Sequence, residues 1–278
     1  MELLDRIVEA QTEDEIKEII NKEVEEKEKN ATKVEKLGMI NGIEGSKPFE
    51  GFIPFDTRIK YNSLSIEDYS MNTTDFFEEF ALFLKKNKIS KKGMMVASLE
   101  TFINGYFGLG KKNSREEVFN SNAWNTTETD EDYFKALENN NIGLLKGGYA
   151  AECTERAALA QQVLALFGME TYYCIGCVKT ERKEEAHAFN VIKSKDGYVL
   201  VDYSMPVTCF DNNAKPKILF PFMGEMTNEE FEEFRNGGVL KEFNDYEFVN
   251  INNKCSNGKK RTYVVNEYTI TKQSEDIR

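Results

Sequence analysis

A helix that is apolar on nearly every side cannot lie on a protein surface, and CTERAALAQQVLALF at 153–167 reads as such a helix. Gly168 supplies the stop. The next segments supply something to bury it against. ETYYCIGCV at 170–178 is rich in β-formers, KTERKEE at 179–185 is a polar loop, and HAFNVIK at 187–193 is a strand. SKDG at 194–197 carries a hairpin turn signal, and YVLVDYS at 198–204 returns beside the strand before it. A buried helix on an antiparallel sheet predicts an α+β layered fold.

The rest of the chain is less sharply marked. Residues 2–37 read as one or two helices, with Leu3, Leu4, Ile7, Val8, Ile16, Ile19, Ile20 and Val24 near helical spacing. Thr12 and Glu15 form a capping box for the second of them. KEVEEKEK at 22–29 continues it as a solvated face. Gly and Pro then cluster in NGIEGSKPFEGFIPF at 41–55, an irregular link. Helices are expected at 76–88, introduced by Asp75, and at 94–107, and helical pieces within 111–146. The division this predicts is a helical amino-terminal extension at 1–45 and a main domain at 46–278, with its core at about 148–206.

Charge narrows the partners. The 278 residues carry a formal net charge of −12, which repels phosphate backbones and argues against nucleic acid. The short Lys pairs at 85–86, 91–92, 111–112 and 259–260 sit among acidic residues and read as solvated surface. No stretch reaches the roughly 20 apolar residues that a membrane span needs. The amino terminus MELLDRIVEAQTEDE lacks the basic and apolar regions of a secretory signal. Five cysteines in a chain of this length make no disulfide framework. The expected compartment is a reducing cytoplasm, or outside it by a signal-independent route.

Chemistry concentrates on three residues. A cysteine nucleophile needs a thiolate, which a helix amino terminus favours through its unpaired N–H groups and dipole. Cys153 stands at such a terminus, though Glu152 opposes ionisation and no Ser, Thr, Asp or Asn cap precedes it. A thiolate also wants an imidazole that can protonate a leaving amine, and His187 is the only histidine in the chain. A third group holds that imidazole in the right tautomer. Asp202 is the one carboxylate in VLVDYS, where an unpaired charge would be costly. If SKDG forms a four-residue loop, Lys193 faces Tyr198 and His187 faces Ser204. Asp202 is then the diagonal neighbour of His187, within reach of its side chain. A two-residue turn puts them too far apart, so the chemistry requires the longer loop or a bulge.

The run GGYAAECTERAALAQQVLALFGMETYYCIGCV, then HAFNVI, then GYVLVDYSMP, resembles the core of the transglutaminase-like superfamily within the papain-like cysteine fold. The resemblance covers about 148–206, roughly a fifth of the chain. It implies Cys153 as nucleophile, His187 as general base and acid, and Asp202 as the orienting group. It implies acyl transfer or hydrolysis at an amide through a thioester, on a protein or peptide substrate, with no cofactor and no metal. A strict hydrolase (protease or deamidase) and a non-catalytic binding module with the same fold are the alternatives. The backbone N–H of Cys153 is one oxyanion donor. KGGYAAE at 146–152 lacks the Gln of papain-like proteases, and Trp124 is a weak candidate for the second donor, after the transglutaminase pattern.

Other signals do not hold. GYFGLGKK at 105–112 has Lys112 where a Walker A loop needs Ser or Thr. Cys174 and Cys177 form a CxxC, but an odd separation in a strand sends them to opposite faces. DNN at 211–213 lacks the Gly and final Glu of an EF-hand, and the Glu78/Glu79 and Glu232/Glu233 pairs read as helix surface.

Overall fold

The computed structural model describes residues 2–29, 33–38, 49–52, 58–60, 70–107, 135, 139, 141–147, 153–179, 184–210, 216–235, 241–244, 248–250, 253–255 and 260–271. Two helices open the chain, α1 (Leu3–Glu9) and α2 (Glu13–Lys29). The backbone N–H of Glu15 donates to the Thr12 hydroxyl at 3.1 Å, so the Thr12 half of the box forms, while the Glu15 carboxylate accepts from the Gln11 N–H at 2.7 Å, one residue before the cap. Helix does not continue to residue 37. Lys33–Gly38 is a strand, β1, and Phe49–Phe52 inside the expected irregular link is its partner, β2. Short, polar KVEKLG has only Val34 and Leu37 as apolar side chains, three apart, too few to fix a period, and pairing in the sheet decides it.

A short hairpin, β3 (Arg58–Lys60) and β4 (Ser70–Asn72), precedes helices α3 (Thr74–Lys86) and α4 (Lys92–Tyr106). Of the 111–146 region the described residues show a helical Lys135, whose carbonyl accepts from the Asn139 N–H at 3.2 Å, and a 3₁₀ turn at Ile142–Leu145. The expected buried helix follows as α5 (Cys153–Leu166). Gly168, at φ 76°, closes it, with its N–H on the Ala165 carbonyl at 2.9 Å and the Met169 N–H on that of Leu164 at 3.0 Å. Then come β5 (Thr171–Lys179), β6 (Glu184–Lys193), β7 (Tyr198–Phe210) and β8 (Pro216–Met226). Helix α6 (Asn228–Arg235), strands β9 (Lys241–Asn244), β10 (Phe248–Asn250) and β11 (Asn253–Cys255), and β12 (Lys260–Thr271) complete the described chain.

The result is mixed helix and antiparallel sheet, the α+β arrangement. The main sheet has eight strands in the order β2-β1-β12-β5-β6-β7-β8, with β9 also on β12. Strand alternation gives it two apolar faces. Along β6, Ile192 joins the cluster formed with α1–α5, which includes Leu4, Ile20, Phe80, Leu99 and Leu164. Phe189 and Val191 join a second cluster with Tyr172, Tyr198, Phe222 and Tyr263, closed by Phe231 and Phe234 of α6. The two glutamines that interrupt the apolar run of α5 tie it down. Gln161 donates to the Thr171 carbonyl at 2.6 Å, and Gln162 accepts from the Thr73 hydroxyl at 2.9 Å. Buried Asn190 of β6 donates to the Ala157 carbonyl of α5 at 3.0 Å. These bonds fix how the helix lies along the strands.

The β6–β7 hairpin has the longer loop. Lys193 pairs with Tyr198, and the Ser194 N–H bonds the Gly197 carbonyl at 2.9 Å. A Cβ at Gly197 would lie 2.2 Å from the Met226 carbonyl oxygen, so only glycine fits this turn. Among the described residues, no helix is long and apolar enough to cross a membrane.

Candidate active site

The β6–β7 ladder runs from Lys193/Tyr198 only as far as Asn190/Val201. Beyond it the strands are no longer paired to each other, and β7 departs from regular pairing with β8 after Asp202. His187 and Asp202 both lie in this parted region. His187 Nε2 is 2.8 Å from Asp202 Oδ2, and both side chains are buried. The Ser204 N–H donates to Asp202 Oδ1 at 2.9 Å, and the Tyr263 hydroxyl donates to Oδ2 at 2.8 Å. Asp202 is thus fully partnered, as a carboxylate with no exposure must be.

Cys153 is the first residue of α5, with a free, half-buried thiol in hydrogen-bonding contact with the imidazole. With Nε2 engaged by Asp202, Nδ1 is the nitrogen left for the sulfur. One helical turn along, Arg156 anchors the start of α5. It is fully buried, donates to the Tyr203 carbonyl at 3.0 Å and to Asn104 Oδ1 at 2.9 Å, and lies 3.5 Å from Glu100 Oε1. Asn104 in turn donates to Glu100 Oε1 at 2.7 Å. Since Tyr203 follows Asp202 in β7, one guanidinium fixes the Cys153 end of the helix to the strand that carries Asp202.

The electrostatics follow from burial. Burial opposes a charge on His187, but the Asp202 carboxylate and the Cys153 sulfur outweigh it and raise the imidazole well above its usual 6.5. Burial also opposes a charge on Asp202. There the imidazolium, the nearby Arg261 guanidinium and the Ser204 N–H prevail and hold the carboxyl low. Glu100 goes the other way. Burial, helped by the Asp202 charge, pushes it up to about 8 against the pull of Arg156 and Asn104.

The structure therefore brings Cys153, His187 and Asp202 together. Trp124 and Glu152 lie outside the described residues. Cys174 is buried in the second apolar cluster while Cys177 is half-buried, both free thiols. No group of three or more His, Cys, Asp or Glu side chains suited to a metal ion occurs among the described residues. Tyr263 and Arg261 escaped the sequence reading. The signal was there in RTYVV at 261–265, a β-rich run that puts an Arg and a Tyr on one face two residues apart. Comparison with known proteins found no matching family model, no matching curated protein and no matching solved structure.

Proposed function

We propose that the chain is a transglutaminase-like cysteine enzyme with a papain-like core, acting on an amide of a protein or peptide through a thioester. The observation that carries this reading is the buried imidazole of His187 held between the Asp202 carboxylate and the Cys153 thiol. In this reading His187 takes the thiol proton, the Cys153 sulfur attacks the amide carbon, and the backbone N–H of Cys153 at the helix terminus steadies the oxyanion. The C–N bond breaks, and His187 gives its proton to the departing amine or ammonia. His187 then takes a proton from the acyl acceptor, water or an amine, which attacks the thioester; the C–S bond breaks and His187 returns the proton to the sulfur. Asp202 holds the imidazole in one tautomer through both steps. The intact three-residue set favours an enzyme over a binding module, which needs none of this pairing.

Incubating cell extract with wild type and with Cys153→Ser, then reading proteins and peptides by mass spectrometry, tests the proposal. Wild type is expected to produce hydrolysed, deamidated or cross-linked amides that the variant does not. The variant's melting curve is expected to shift by no more than about 0.5 kcal/mol in stability, since Ser nearly matches Cys in shape and the site is half-buried. A variant that melts early yet retains the conversion contradicts the proposal.

A further inference from the structure

We infer that Tyr263, itself held by Arg261, is a positioning residue for the site, fixing the Asp202 carboxylate that orients His187; the inference rests on the function proposed above. The Tyr263 hydroxyl donates to Asp202 Oδ2 at 2.8 Å, the same oxygen that meets His187 Nε2 at 2.8 Å. The hydroxyl also has a hydrogen bond with the Arg261 side chain. A guanidinium can only donate, so it occupies the acceptor side of the phenol oxygen and leaves the phenol proton one direction to point. That direction is Asp202. The ring has no freedom to drift, because Tyr263 is fully buried and packed against Phe189 at 5.1 Å, Phe222 at 5.6 Å and Phe243 at 5.9 Å between centroids. Arg261 is fixed in turn by stacking over Phe222, 4.5 Å from the ring centroid.

The two residues reach the site from β12, which is separated from β6 by β5 and is remote from Cys153 in sequence. With the Ser204 N–H on Oδ1, they leave the carboxylate no rotation about its last bond. Its plane therefore sets the plane of the imidazole. Burial and the neighbouring Asp202 charge keep the Tyr263 phenol protonated, so it stays a donor. A packing role alone needs only the ring.

Tyr263→Phe keeps the ring and removes the donor. Two readouts follow it: the rate at which iodoacetamide alkylates Cys153 at about pH 6, and the titration of the imidazole by NMR. Because the chain has one histidine, that titration is a single unambiguous curve. The labelling rate is expected to fall about twofold, a smaller loss than removing His187 itself causes. The His187 midpoint is expected to fall by about half a pH unit or more as the carboxylate loses its fixed aim. Arg261→Lys, which keeps the charge but loses the fork, is expected to show smaller changes in the same direction and serves if Tyr263→Phe does not fold. Unchanged labelling and titration, with or without a lower melting temperature, overturn the inference. His187→Ala separates the two levels. If it slows labelling while Tyr263→Phe does not, only the positioning role falls; if it too has no effect, the proposed function falls first.

Discussion

Replacing Asp202 with Asn is expected to destabilise the fold by about 3–5 kcal/mol, the usual consequence of removing one member of a buried ion pair. The side chain keeps its shape, but the imidazolium loses its counter-charge in a site without solvent. The effect has a pH signature. His187 has a folded pKa raised above 6.5, so its contribution is complete below 6.5 and is lost as pH rises through the folded value. Asp202 has a folded pKa below 3.8, so its contribution is complete above 3.8 and is lost as pH falls through the folded value. Both contributions are whole between 3.8 and 6.5, and the gap between wild type and Asp202→Asn is widest there. Denaturant unfolding across this range checks it. A gap that is small, or independent of pH, contradicts a charged His187–Asp202 pair.

Glu100→Gln is expected to act in the opposite direction and stabilise the protein near neutrality. Glu100 is fully buried, its folded pKa is about 8 and its ordinary value 4.5, so the folded chain holds a proton that the unfolded chain releases. Its contribution is complete below 4.5 and is lost as pH rises to about 8. At neutral pH the proton uptake costs on the order of 3 kcal/mol, at about 1.4 kcal/mol for each pH unit above the unfolded pKa. Gln is neutral throughout and keeps an oxygen for Asn104, so the variant should melt later at pH 7 and at the same temperature as wild type near pH 4. Melting curves at the two pH values decide it. Equal melting temperatures at both would mean that Glu100 is not protonated in the folded chain.

What could be read from sequence follows from how each segment is stabilised. Helix α5 and the β6–β7 hairpin carry their own signals: an all-round apolar helix, alternating strands, and a loop whose length the His187–Asp202 contact dictates. Local spacing therefore reached Cys153, His187 and Asp202. Strands β1 and β2 carry no such signal, because both are short, and β1 is held by pairing with distant β12 while β2 is held by pairing with β1. The reading of helix to residue 37 failed for that reason. Beyond Asp202, β12 brings in Tyr263 and Arg261 from about 60 residues away, and no local period announces a partner at that distance. Glu100, Asn104 and Arg156 were missed because a polar residue on a helix reads as surface, whereas here the three contact one another in the interior. Their legible trace was the apolar company each keeps: Glu100 and Asn104 are four apart in MMVASLETFINGYF, and Arg156 sits in the buried helix itself.

The central claim is that His187 activates Cys153. It is tested most directly by alkylating the native protein with iodoacetamide at about pH 6 and mapping the labelled cysteines in wild type and His187→Ala. Cys153 is expected to react first in wild type, ahead of Cys177 and far ahead of Cys174, whose thiol burial pushes far up. His187→Ala is expected to slow Cys153 several-fold at about pH 6 and much less near pH 9, where free thiols in general ionise unaided. Cys153 labelling no faster than Cys177, with no change in His187→Ala, would contradict the account and leave the single histidine a structural partner of Asp202.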